Sequence, residues 1–437
     1  MLREDVPTYT TPFSITSQFG FCGLPLRLDT YRGCGFQCSY CFARYRGGNR
    51  PVENIVPANP KTISRVLDRA LIGQKGGLVA QFLRHRTPLH FGGMSDPLQP
   101  AEVKHKVTLD ILQTLVRHRY PTVLSTRSTL IGTTPYLTAI RNLESFVVQF
   151  SFSTTRDEIA QRIEPYATKP SDRLRTIELL SKMGIIVTAR WQPYIPGTSE
   201  EPREFISRIA ATGCKHIALE HLKLPVERGN PLWQTLSAAA SDDLVHIYQD
   251  AGAKRDGREL VLPCSEEKLT RILEVRSLVH TAGLTFGAAD NEFQYLSDGG
   301  CCCSGVDSFP GFENWFKHQL ASAVKRSNGS DIHYSSIKDE WLPTGSVDRH
   351  LNSRSRLSAR TELQGTVNQH ILSRWNSPST GKSPSMFFGV RSGKSGPDGN
   401  LLYHWDRAIL SRLSEEKVFE PDACQTAPGR IRTDCIC

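Results

Sequence analysis

From residue 26 to residue 222 short apolar runs alternate with amphipathic stretches, and this alternation limits the fold more than any other feature of the chain. The runs LRLDTYRG, PLHFGG, PTVLST, SFVVQFSFST, IIVTARWQPYIPG and KHIALEHLK are strand-sized and bounded by turn residues. Between them KTISRVLDRALIGQ, AEVKHKVTLDILQTLVRHR, TTPYLTAIRNL, SDRLRTIELLSKMG and EEPREFISRIAATG carry apolar residues at helical spacing. Strands that alternate with helices predict a parallel sheet with the helices outside it. Right-handed crossovers let such units curl into an open barrel. The expected fold is therefore α/β, a partial (β/α)6 barrel of TIM type over residues 26–225, after an N-terminal extension at 1–25. Residues 226–322 read as a helical extension with a Cys-rich segment, on stretches such as PLWQTLSAAASDDLVHIYQDAG and SEEKLTRILEVRSLVHTAG. Residues 323–437 are rich in Ser, Arg and Gly and read as a mixed, partly disordered C-terminal region.

With 437 residues, 39% of them hydrophobic and 22% charged, the chain has the material for a large core. No apolar run approaches the ~20 residues of a membrane span. The opening MLREDVPTYT has no apolar segment of the signal-peptide kind. The expectation is a cytoplasmic protein with no membrane partner, in a compartment that keeps thiols reduced. The net charge of +9 permits a nucleic-acid partner without requiring one. Twelve cysteines then need a reason other than disulfides, and they are clustered. Three lie at 34–41, three are consecutive at 301–303, and Cys424, Cys435 and Cys437 end the chain; Cys22, Cys214 and Cys264 are scattered. Clustered thiols in a reducing compartment point to metal or redox chemistry.

The sharpest cluster is in TYRGCGFQCSYCFARYRG, where Cys34, Cys38 and Cys41 follow the first expected strand directly. Barrel enzymes place their chemistry there, in loops after the C-terminal ends of strands. Thiolates hold iron–sulfur clusters, whereas structural zinc usually draws its thiolates as two separated pairs. A compact loop of three thiols can wrap three corners of a cubane and leave the fourth iron open to a small molecule. Taken alone, the thiols also fit a zinc site completed by a remote fourth ligand, or a simple electron carrier. Arg32, Arg44, Arg46 and Arg50 put a basic rim around the loop.

This loop resembles the signature of the radical S-adenosylmethionine superfamily, with Tyr40 as the aromatic before the last cysteine. YRGC…CSYCFAR, SDPLQPAE, RIEPYA and PYIPG are together similar to the spore photoproduct lyase-like branch over residues 26–225. Phe42, Ser95 and Leu98 are mild departures from that branch's usual Tyr, Thr and Tyr. The resemblance implies a [4Fe-4S] cluster on Cys34, Cys38 and Cys41, with S-adenosyl-L-methionine chelating the open iron. Reductive cleavage then yields a 5′-deoxyadenosyl radical that abstracts hydrogen from substrate. The branch's namesake acts on a thymine–thymine crosslink, so DNA or another nucleic acid is the candidate substrate and partner. An external one-electron reductant of flavodoxin or ferredoxin type is implied as well.

The same resemblance suggests which residues seat the cosubstrate. Gly92 and Gly93 form the Gly-rich turn, with Ser95 or Asp96 accepting from its ammonium; Met94 stands where Glu is more usual. Asp96 before Pro97 also reads as the cap of a helix starting near Ala101. Ser151, Ser153, Glu164 and Arg190 lie where the family contacts ribose and carboxylate, and a guanidinium suits a bidentate acceptor. Arg190 reads equally as a salt-bridge partner of Glu164 or Glu220. The branch returns a hydrogen from a thiol, for which Cys302 and Cys264 are the candidates. Two of Cys301–Cys303 with Cys264 or another thiol could instead hold a second metal centre.

Overall fold

Eight strands form one sheet in the order β1 (Phe13–Ile15), β2 (Leu26–Leu28), β3 (Leu89–Phe91), β4 (Thr122–Thr126), β5 (Phe146–Phe152), β6 (Ile186–Tyr194), β7 (His216–His221) and β8 (Thr285–Ala288). The computed structural model describes residues 7–16, 20–41, 43, 55–141, 143–226, 232–240, 243–256, 259–312, 315–342 and 366–410. β1 pairs antiparallel with β2, and every later pairing in the sheet is parallel. The sheet is open, with β1 and β8 at its edges, so the barrel is partial, as expected. Parallel strands covered on both faces read as continuous apolar runs, and every residue of β5 is buried.

Proline punctuates the alternation. The helices Pro60–Leu71, Pro100–His105, Pro170–Lys182 and Pro202–Ala210 each begin on a proline. Its fixed φ and missing N–H suit the first helical turn, where that donor has no intrahelical partner. Pro60–Leu71 adds a cap, with the Asn59 side chain accepting from the amide of Thr62, and turns Ile63, Leu67 and Ala70 inward.

The sheet runs past residue 225. Between β7 and β8 lies an insert in which Leu224–Pro225, Lys254–Asp256 and Glu259–Val261 form a small antiparallel sheet with the helices Leu232–Ala240 and Leu244–Asp250 beside it. The Ser265-capped helix Glu266–Thr281 then leads into β8. These strands have two to four residues, too few for a periodicity of two to register, so the sequence reads as mostly helical here. In the C-terminal region the helix Val367–Trp375 starts on a capping box between Thr366 and Gln369. A hairpin of Val390–Ser395 and Leu401–Trp405 follows, and its Tyr403 and Trp405 are buried with Trp375. Residues 343–365 and 411–437, and with them the expected disorder and Cys424, Cys435 and Cys437, lie outside the described residues.

The N-terminal ends of the strands are closed by a floor. Cys301, Cys302, Cys303, Val306, Phe312 and Phe316 pack with Leu24, Val123 and Val147, which stand before or near the starts of β2, β4 and β5. The floor is held by close backbone fits: a Cβ on Gly287 of β8 would collide with the carbonyl of Cys302, and one on Gly305 with the His216 ring. Among the described residues no helix is long and apolar enough to cross a membrane.

Several histidines are buried uncharged. Burial pushes His90 down to about 3, with the nearby Arg27 and Arg190 adding to the fall, and pushes His216 and His318 down to about 4. The unfolded chain protonates these rings below about 6.5, while the native state does not until pH approaches 4. The unfolded state therefore binds more protons in that window and stability falls as pH falls. The expected result is a lower urea midpoint at pH 5 than at pH 7; equal midpoints would contradict the burial of neutral rings.

Candidate functional site

The cysteine loop leaves β2 at the C-terminal edge of the sheet and is clamped from two sides. On one side the Gln99 side chain accepts from the Gly35 amide at 2.7 Å and donates to the Gly33 carbonyl at 2.9 Å. Nearby, the Tyr31 hydroxyl donates to Glu102, which is fixed in turn by the amides of Thr108 and Leu109 at 2.9 Å and by the Tyr136 hydroxyl at 2.8 Å. On the other side the amide and hydroxyl of Ser39 both donate to the Ile163 carbonyl, at 2.9 and 3.0 Å. The Tyr40 hydroxyl donates to Glu164, and the Arg127 guanidinium lies over the Tyr40 ring at 5.6 Å. SDPLQPAE and RIEPYA thus meet in space as the two jaws that hold YRGC…CSYC.

Within the clamp Cys34, Cys38 and Cys41 are free thiols, Cys38 buried and the others half-buried. Burial pushes the Cys34 thiol up to about 12, with the Asp96 carboxylate adding to the rise and the Asp96 amide opposing it. Burial also raises Cys38, opposed by Arg127 and reinforced by Glu164, Cys41 and Cys34. The three thiols therefore share one electrostatic neighbourhood, with backbone amides and a guanidinium facing it. Among the described residues, no three His, Cys, Asp or Glu side chains converge as a single metal ion would require. Three thiols on one short loop, donors to Cys34 and a cation beside Cys38 suit thiolate ligands of a cluster, whose binding would release their protons.

Glu164 is the hub beneath the loop. It is 1% exposed and pairs with Arg173, also 1% exposed, at 2.5 Å. It also accepts from Ser153 Oγ at 2.7 Å and from Tyr40. Burial would raise its carboxyl, but Arg173 and Arg127 outweigh that and hold it at about 2. Arg173 further donates to the Ser151 carbonyl at 2.8 Å, tying the end of β5 to the hub.

The remaining candidates fall into three groups. The first is committed to internal bonds. Ser95 Oγ donates to the Tyr31 carbonyl at 2.6 Å. Asp96 accepts from Thr126 Oγ1, the Arg127 amide and the Leu98 amide at 2.7–2.8 Å, so it joins the end of β4 to its own turn, while Gln99 and not Asp96 occupies the N-cap position of the helix Pro100–His105, with no side-chain capping bond. Tyr40, Glu164 and Ser153 belong to the hub. The second group faces the barrel. Gly92, at φ +96°, turns the chain after β3 where a Cβ would stand 2.6 Å from Pro97 Cδ and 2.8 Å from the Ser125 carbonyl. A Cβ on Gly93 would press on the Arg27 stem at 2.7 Å. Arg190 pairs with Glu220 at 3.2 Å, and Ser151 lies beside it in the pairing of β5 with β6.

The third group is the thiols. Cys302 sits in the floor, at the opposite end of the strands from the cysteine loop. Cys303 approaches Arg190 and His90, and Cys22 completes a group of four thiols there. Cys264 is exposed and its charged neighbours are Glu292, Lys268 and Asp290, so it is not brought together with the floor thiols. Sequence reasoning missed Arg27, Arg127, Arg173, Gln99 and Cys22. Arg127 was open to the rule already in use, since it follows the C-terminal end of a strand in PTVLSTR. Phe42, Arg44, Arg46 and Arg50 lie outside the described residues.

An insert core covers the loop from above: Phe36, Cys38 and Tyr40 pack with Ile163, Ile195, Leu222, Leu224, Leu236, Leu244 and Tyr248. Comparison with known proteins matches residues 28–209 to the model of the Radical SAM superfamily. Uncharacterized proteins of Mycobacterium tuberculosis and Mycobacterium bovis are 26% identical over 243 residues, 52% of this chain and 67% of each relative. Among solved structures, spore photoproduct lyase complexed with dinucleoside spore photoproduct is 14% identical, with TM-score 0.46 over 63% of this chain and 77% of that one. SuiB of Streptococcus suis bound to S-adenosylmethionine is 13% identical, with TM-score 0.40 over 61% of this chain and 51% of that one.

Proposed function

We propose that this chain, whose residues 28–209 form a radical SAM superfamily domain, reductively cleaves S-adenosyl-L-methionine and uses the resulting radical on a substrate at the barrel mouth. The observation that carries the reading is the clamped loop: three thiols in one neighbourhood, held at the C-terminal ends of parallel strands by the polar residues of two distant motifs. Cys34, Cys38 and Cys41 would hold a [4Fe-4S] cluster. When bound, that cluster supplies the electron that splits the sulfonium and yields a 5′-deoxyadenosyl radical.

The chain's own residues do the positioning. Glu164, through Tyr40, fixes the loop against the sheet. Gly92 and Gly93 let backbone approach a ligand closely, and Arg190 with Ser151 offers a carboxylate seat on the strand ends. The insert keeps water off the Cys38 side of the loop. Of the candidate hydrogen donors, Cys302 lies with Cys303, which has Arg190 among its charged neighbours, whereas Cys264 is exposed. An external one-electron reductant of flavodoxin or ferredoxin type feeds the site.

The substrate reading is a nucleic-acid lesion, supported by the lyase-like motifs and the net charge of +9. After anaerobic reconstitution and dithionite reduction, 5′-deoxyadenosine should form, and ultraviolet-irradiated DNA should raise its turnover above the level with intact DNA. A flat response to damaged DNA would retire the lesion and leave the enzyme class; no 5′-deoxyadenosine at all would retire the class.

A further inference from the structure

Arg27 stands inside the barrel wall on β2, laterally paired with His90 of β3. Its stem runs beneath Gly93, and its guanidinium reaches up to Met94 Sδ at 4.0 Å. Among the described residues no carboxylate pairs with it, and its Nε is buried with no acceptor. Arg190, on β6 across the interior, has a buried Nε without an acceptor too, but it has Glu220 as counter-charge. Both guanidiniums add to the burial that keeps the His90 ring uncharged. That ring donates to or accepts from Ser125 Oγ at 2.9 Å, and Ser125 continues to Gln149 at 3.1 Å. The barrel interior therefore holds two guanidiniums and a neutral imidazole in a wall of hydroxyl and amide groups, with Glu220 and the Cys303 thiol as the negative partners of Arg190. Arg27 is half-buried with its Nε unsatisfied and no carboxylate beside it among the described residues, and an oxyanion with two acceptor oxygens matches its fork.

We propose that Arg27 is the seat of an oxyanion carried by the substrate, a carboxylate or a phosphate, held across the chamber from the cosubstrate's own carboxylate on Arg190. This rests on the radical SAM reading only in taking the barrel interior as the substrate chamber; the charge imbalance around Arg27 exists without it. Substrates that reach the chamber are then anionic at the end that enters beneath the Gly92–Gly93 turn. The floor thiols stay below this seat. Cys303 faces Arg190 rather than supplying Arg27 with an acceptor, since no bond joins it to Arg27 among the described residues.

The test is direct anion binding by calorimetry on the anaerobically reconstituted protein, with inorganic phosphate and acetate as probes, with and without saturating S-adenosyl-L-methionine. Saturable binding of either probe is expected, and it should persist with the cosubstrate present; the tighter probe identifies the oxyanion class. Arg27→Gln should weaken that binding about 10-fold or more, as loss of a charge-assisted pair does. Arg27→Lys, which keeps the charge but not the fork, should fall between. Iron content and the urea midpoint of each variant show that the protein measured is folded and loaded. Absence of binding, unchanged binding in Arg27→Gln, or competitive displacement by S-adenosyl-L-methionine would each overturn the proposal. Cleavage of S-adenosyl-L-methionine by the unmutated protein is measured separately, so failure of the anion seat and failure of the enzyme class give different results.

Discussion

Replacing Cys38 by alanine is expected to drop iron and sulfide from about four each per chain to below one, and to abolish 5′-deoxyadenosine formation. Cys38 is the buried member of the three thiols and is electrostatically linked to both others. It is packed under the insert with Phe36 and Tyr40, so solvent cannot stand in as a replacement ligand. The loop itself should survive, because its clamps run through Gly33, Gly35, Ser39 and Tyr40 and not through the thiol. The variant should therefore match the unmutated apoprotein in urea. A reconstituted Cys38→Ala protein that keeps its iron and still cleaves S-adenosyl-L-methionine would remove the ligand assignment.

The second large effect is expected at Glu164. Glu164→Gln keeps the volume and deletes the charge that balances Arg173 and Arg127. Removing one partner of a buried pair leaves the other uncompensated, which costs about 3–5 kcal/mol. The depressed carboxyl points to a loss of similar size: a fall from 4.5 to about 2 is worth about 3 kcal/mol at neutral pH. The pair is 1% exposed on each side, so solvent screens little of it. Arg173→Met added to Glu164→Gln should recover part of the loss, because an unpaired guanidinium is then no longer buried. A Glu164→Gln protein as stable as the parent in urea would show that the hub does not bear on folding. Because Glu164 also anchors Tyr40, the variant should bind the cluster less tightly than its stability alone would dictate.

The parallel core was legible because its strands are long and apolar and its helices start on prolines. At the centre of the candidate site, three cysteines with fixed spacing leave few alternative readings. Its surroundings were legible as motifs but not as roles. Ser95, Asp96, Ser153 and Glu164 are assigned to the cosubstrate by resemblance, and in the structure each also makes bonds that hold the loop and the strand ends together. Sequence spacing cannot distinguish a residue that touches a ligand from one that braces the residue that does, since both belong at strand ends. Arg27 was hidden for another reason: inside LRL it reads as the polar position of an alternating strand, and only the sheet shows that this position points inward. β8 and the insert's strands escaped because a run of two to four residues has no measurable period.

The floor of the barrel belongs to a part of the chain well beyond residues 28–209, the stretch that matches the superfamily model, at Cys301–Phe316. Any fragment excised at the boundary of that stretch would lose its underside, baring Val123 and Val147 to water and inviting self-association. The working unit for expression is accordingly larger than the recognisable one, and homologous pieces trimmed to the motif region should not be expected to stand in for it.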